Sequence, residues 1–336
     1  SAKLNNSAVY VSTAVADEVI DGSVVELTGT SDHLMMDLPP VNSNLQAGPA
    51  MVGVMAGHTT GWDGGSIFRS GDSGQTWVDI QAFAAPCTYG FASGTLGSHG
   101  GNVIDFGSNL TVWLLAGELE SVTEPQMLNG SNMLAYGVNG RWEIVRFMNA
   151  YLNADGSFTL SGFWRGDIGT EWATSLHAAG DSVVLLNDPD ATIITMPAEL
   201  IGASRDYRGI TSGADIDTDA SRTVTYTGEN LECLSPVHAS ATRSAGDIAL
   251  KWVRRSRIAG WRDYVDVELG ETVEAYEVDV MDGATVKRTI TSATQSATYT
   301  SAQQVTDFGS PQASVVFRIY QLSSVVGRGR KLEVTL

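Results

Sequence analysis

Carboxylates supply the first candidates for chemistry. In AGELESVTE, Glu118 and Glu120 stand two residues apart, and on a strand such positions share a face, so the charges would lie close together. Paired carboxylates suit general acid and base work, although glycosidase pairs ordinarily come from different strands across a cleft. In DIDTDA, Asp215, Asp217 and Asp219 match the first, third and fifth places of an EF-hand calcium loop. Ala220 stands where that loop needs Gly, and Tyr226 where it needs a bidentate Glu. The EF-hand reading fails, and a looser calcium site in a loop is the one metal candidate. His33, His58, His99, His177 and His238 are scattered without metal-ligand spacing. The strings GxSxG, HExxH, GxxxxGK[ST] and GxGxxG do not occur. The expectation is a chain that is no enzyme and takes no cofactor.

Residues 70–77 read SGDSGQTW, with Ser70, Asp72, Gly74, Thr76 and Trp77 in the spacing of an Asp box. The pattern resembles the blade motif of sialidases and other sugar-handling propellers. Physically it is a hairpin device. The Asp72 carboxylate can accept N–H bonds across the turn, Gly74 supplies a conformation denied to residues with a Cβ, and Trp77 packs on the sheet. A propeller repeats the box once per blade, at roughly 40–50 residues. Here the echo is GDIGTEW at 166–172, too distant for an adjacent blade and with Arg165 where Ser belongs. The expectation is a structural turn; the alternative is a carbohydrate-binding or sialidase-like protein, which aromatics such as Trp62 and Trp142, expected to be exposed, would suit.

Short runs rich in Val, Ile, Thr and aromatics, separated by Gly, Asn and Asp, position these residues. SVVELTG, AMVGVMAG, NLTVWLLAG, RWEIVRFM, SFTLSGFW, DSVVLLND, ATIITM and RTVTYTG predict strands, and helix is limited to a turn or two near AELIGA and TSLHAAG. The rhythm breaks at GENLECLSP, 228–236, and resets. VHASATRS, DIALKWVRR, EAYEVDVMDG, TVKRTITS, SATYT, SVVFRIYQLS and KLEVTL then give seven strand candidates in about a hundred residues, as a seven-stranded sandwich needs. Trp252 fills the space between its sheets, while Tyr276, Val278 and Val280 face inward and Glu277 and Asp279 outward. The fold class is all-β: a mixed sandwich and barrel-like region over 1–230, in one or two subdomains, then a fibronectin type III-like sandwich over 231–336.

The chain carries 38 acidic against 20 basic residues, a net charge of −18, and such a field repels a phosphate backbone. No nucleic-acid partner is expected. Nor is a membrane span, because no apolar run approaches the roughly 18 residues one requires. Cys87 and Cys233 make neither a disulfide framework nor a zinc site. The opening SAKLNNSAVYV has no signal-peptide pattern and no initiator Met, which suits a fragment or a processed product.

Several strings occur in a fixed order: GWDGGSIFRSGDSGQTW, MLNGSNMLAYG, RWEIVRFMNA, SFTLSGFWRGDIGTEW, LSPVH and WVRRSRI. From about residue 30 onward this succession resembles the C-terminal region of the tail-tip hub proteins of siphophages and gene transfer agents. The strings that carry it are Arg165, Gly166, Gly169, Thr170, Glu171 and Trp172; Leu234 to His238; and Trp252, Arg254, Arg255, Ser256, Arg257 and Ile258. A basic residue belongs at Asp167 or Ile168 in that pattern. The resemblance implies a structural part of a virion's distal tail, linking the hub to fibres or the host surface. Its implied partners are other tail and baseplate proteins, tail fibres and a host-surface glycan or protein, within a parent hub that is a homotrimer. Between the second and third sandwich strands, SRIAGWRDYVDVELGE carries Trp261, Arg262 and Tyr264, residue types suited to an interface loop.

Overall fold

The structure is a computed structural model that describes residues 29–101, 103–258 and 267–336. The strand expected at 23–29, all but Gly29, and the loop residues Trp261, Arg262 and Tyr264 lie outside the described residues.

The run AMVGVMAG organises the first half of the molecule. As strand Ala50–Gly57 it is buried along its whole length, as a strand is when both faces are covered. It is the centre of a three-stranded antiparallel sheet, between Ser31–Met36 and Thr192–Thr195. Alternation of side chains divides two cores. Met35, Met51, Met55 and Ile194 meet Ile67, Phe83 and Tyr207 on one face. Leu34, Met36, Val52 and Val54 meet Tyr89, Ala135 and Ile144 on the other. The first core is closed by a sheet of Arg222–Thr225, Ser204–Thr211, Gly65–Ser70 and Val78–Phe83, in that order.

The second core is closed by the outside of a barrel. Its six strands run in the order Ser182–Leu185, Tyr89–Ala92, Asp105–Ala116, Phe158–Asp167, Glu143–Leu152 and Met133–Gly137, and the last pairs with the first. Closure leaves no unpaired sheet edge. Leu134, Tyr136, Val145, Phe147, Leu160 and Phe163 fill the interior. Burying each large apolar side chain contributes roughly 1.5–3 kcal/mol.

From Val237 the strands form a sandwich. One sheet has Val237–Ser244, Asp247–Val253 and Ser296–Tyr299; the other has Thr285–Ser292, Tyr276–Asp282 and Val316–Ser323. The seventh strand is broken into Gly327–Arg328 and Leu332–Thr335, both paired with Val316–Ser323. This 3+4 arrangement is the strand order of a fibronectin type III-like sandwich. Trp252 lies in its core, edge-on to Tyr276 with ring centroids 5.2 Å apart.

Several sequence expectations need correction. Helix Ser301–Phe308 sits within the sandwich, where none was expected. Thr300 and Gln303 form a reciprocal capping box, and Gly309 ends the helix in the left-handed region. Asp279 does face outward but is only 1% exposed, because Arg328 (2.7 and 3.0 Å) and the Thr289 hydroxyl (2.6 Å) cover it. Glu118 and Glu120 are not on a strand. The strand ends at Ala116, and the two side chains lie exposed in the following loop on either side of buried Leu119.

Candidate functional site

Three of the strings singled out in the sequence meet at one place, the joint between barrel and sandwich. Strand Phe158–Asp167 leads into RGDIGTEW. Its pairing with Glu143–Leu152 shifts register between Ile144 and Arg146, opposite Asp167 and Trp164. Such an irregularity re-aims side chains. Arg165 turns inward to Glu143, while Asp167 pairs with Arg146 at 2.6 Å. The Thr170 hydroxyl accepts from the Ile144 amide (2.9 Å) and donates to the Asp167 carbonyl (2.8 Å), fastening the loop to the barrel wall.

Across the joint, Gly169 has φ +82°, and a Cβ there would stand 2.6 Å from the Leu234 side chain of LSPVH. Glycine is required twice over, for its conformation and for the close approach. Glu171 pairs with Arg255 of WVRRSRI, whose Nε donates to the Ser235 carbonyl at 2.7 Å. The break in the last sandwich strand brings Arg330 to the same place. Its backbone N–H donates to the Cys233 carbonyl, and its guanidinium reaches Glu229 (2.5 Å) and Glu232 (3.1 Å) while lying 4.0 Å from the Trp172 ring centroid. On the other side, Asp37 accepts from the backbone amides of Thr227, Gly228 and Glu229 and from the Thr227 hydroxyl. The connecting segment is therefore tied to the first sheet, the barrel and the sandwich at once.

Burial governs the protonation of the acids in and against this segment. It raises Asp37, against four hydrogen bonds that pull the other way. It raises Glu229 against the attraction of Arg330. It pushes Glu232 up to about 7, with Arg330 opposing and the charges of Glu229 and Asp37 adding to the rise.

A second polar group closes one end of the barrel. Glu143 shares the inward face of its strand with Val145 and Phe147. It binds Arg165 through two bonds (2.7 and 2.8 Å) and the His177 Nε2 at 2.6 Å. The His177 ring stacks on Tyr136, centroids 3.9 Å apart, and its Nδ1 faces Asp181 at 3.6 Å, which in turn pairs with Arg141. Burial alone would raise the Glu143 carboxyl, but the bonds from His177 and Arg165 outweigh it and hold it below the ordinary glutamate range. The side chains of Glu143, Arg165 and His177 have no solvent exposure. An acid, a base and a cation stand together here with no open face for a substrate; the arrangement plugs the barrel.

The Asp box joins strands Gly65–Ser70 and Val78–Phe83. Asp72 Oδ1 accepts from the amides of Gln75 (3.0 Å) and Thr76 (2.9 Å) and from the Ser70 hydroxyl (2.8 Å), and Oδ2 from the Thr76 hydroxyl (2.7 Å). Gly74 donates its N–H to the Ser70 hydroxyl oxygen, the Trp77 indole donates to the Gly74 carbonyl, and Arg208 lies over the Trp77 ring at 4.6 Å. The Thr76 and Ser70 bonds lower the Asp72 carboxyl to about 2. The echo at 166–172 has no such turn, since its Asp167 pairs with Arg146 instead.

Asp215, Asp217 and Asp219 do not converge. Asp215 accepts from the Asp217 amide, Asp217 pairs with Arg208, and Asp219 faces His33 at 3.1 Å. Among the described residues no group of three or more His, Cys, Asp or Glu side chains is placed to hold a metal ion, and no helix is long and apolar enough to cross a membrane. Cys87 and Cys233 are free and buried, and burial raises both thiols, Cys233 to about 12. Sequence reasoning missed Glu143, His177, Asp37 and Arg330. For Glu143 a signal existed: a charge in register with two inward apolar residues of one strand.

Residues 87–184 match the family model described as Rcc01698-like, C-terminal. The span coincides with the barrel, whose first strand begins at Tyr89 and whose last ends at Leu185. No curated protein matches the chain. Among solved structures, the rat CD45 extracellular region, domains d3–d4, is 11% identical over 40% of this chain and 64% of that one, with a TM-score of 0.22. The chicken CNTN1 FN1–FN3 domains are 8% identical over 92% of this chain and 97% of that one, with a TM-score of 0.23.

Proposed function

We propose that the chain is a structural, non-enzymatic part of the tail tip or baseplate of a phage or phage-like particle, linking the hub to fibres or to the host surface. The observation that supports this reading is where the strings that carry the resemblance lie. RGDIGTEW, LSPVH and WVRRSRI are engaged with one another in the joint between a family-matched barrel and a sandwich. Residues that hold two domains in fixed relation serve a spacer, because little chain entropy is then left to lose on assembly. The polar groups that resemble catalytic machinery are enclosed in the barrel plug or committed to a turn.

Gold-labelled antibody against the chain, applied to purified particles, tests the placement. Label at the distal end of the tail is the expected result, and label confined to capsid, or to no part of the particle, contradicts it. Incubation of the purified chain with cell-wall and glycoside substrates tests the absence of catalysis, with measurable turnover as the contrary result. The sugar-binding alternative predicts hits on a glycan array that Asp72→Ala abolishes; Asp72 is fully engaged in its own turn, so no such hits are expected.

A further inference from the structure

The joint forms an open pocket with a volume of about 480 Å³ between the barrel loop at 166–169 and the segment 254–257. Its charged lining residues are four arginines, Arg146, Arg254, Arg255 and Arg257, and two acids, Asp167 and Glu171. Four guanidinium groups converge on one pocket in a chain whose net charge is −18, each paired with a carboxylate. Each guanidinium is held in place by a carboxylate and by backbone carbonyls. Arg146 binds Asp167 and the carbonyls of Met127 and Leu128. Arg254 binds Glu274, Arg255 binds Glu171 and the Ser235 carbonyl, and Arg257 binds Glu271 and the Gly270 carbonyl. Two buried donors, Nε of Arg146 and Nη1 of Arg257, have no acceptor.

Unmatched buried N–H groups on cations are costly, and an oxyanion in reach satisfies them with charge-assisted bonds. We propose that this pocket binds a small ligand through a carboxylate or phosphate group, with Arg146 and Arg257 as its principal donors. Such a ligand bridges barrel and sandwich, and so stiffens the joint on binding. The site stands on its lining alone and needs no place in a particle.

Isothermal titration of the full chain near pH 7 tests it, with sodium phosphate and sodium glucuronate in separate arms against sodium chloride of matched ionic strength. Saturable binding of at least one anion is expected, and the arm that responds identifies the recognised group. The double variants Arg146→Gln/Asp167→Asn and Arg257→Gln/Glu271→Gln, each of which removes both partners of a buried pair, should each weaken binding by roughly tenfold or more. Failure of both anions to bind at about 10 mM, or undiminished binding in folded variants, would overturn the proposal.

Discussion

Asp72 shows how much one side chain can do inside a turn of its own making. Both of its oxygens are occupied by hydrogen bonds from within six residues, and its carboxyl is lowered to about 2. An acid whose folded pKa is depressed stabilises the fold above its ordinary value of 3.8 and loses that contribution as pH falls toward 2. Thermal melts of Asp72→Ala should therefore run below wild type at neutral pH and converge with it in strong acid. This turn was legible in the sequence because every partner is local. Arg165 was not legible in the same way: its partner Glu143, and the His177 that Glu143 also binds, come from other elements, and only the closed barrel brings them together. Arg165→Met should destabilise by roughly 3–5 kcal/mol, since it leaves a buried carboxylate without its cation. The double variant Glu143→Gln/Arg165→Met should recover much of that loss in denaturant unfolding.

At the scale of elements, strand existence followed from short β-rich runs, and all seven sandwich strands appear where those runs stand. Strands such as Ser31–Met36, Gly65–Ser70 and Ser204–Thr211 were missed because glycines, charges or sulfur-rich stretches mask their alternation. Helix Ser301–Phe308 was missed although Thr300, Gln303 and Gly309 spell its start and stop, because two turns with only Ala302, Val305 and Phe308 apolar carry little periodicity inside a strand-rich region. The joint makes two predictions of its own. Gly169→Ala should cost roughly 1–3 kcal/mol, from a left-handed conformation forced on a residue with a Cβ and from the clash with Leu234. Glu232, raised to about 7, holds its proton more tightly folded than unfolded. Between its ordinary 4.5 and about 7, stability should fall as pH rises, and Glu232→Gln should flatten that part of a stability-against-pH profile.

For the whole molecule, the account rests on a rigid succession of first sheets, barrel and sandwich. Polar contacts from Asp37, Glu171, Arg255 and Arg330 hold the connecting segment on every side. A flexible linker between the same units would leave the domains to sample many orientations. The direct measurement is the distance between spin labels placed by Tyr151→Cys on the barrel and Val286→Cys on the sandwich, both exposed positions, with the native thiols buried. The account predicts one narrow distance distribution in the wild-type background, broadened when Glu171→Ala and Arg330→Ala are combined. A broad distribution in the wild-type background, or a narrow one untouched by losing both side chains, would contradict it.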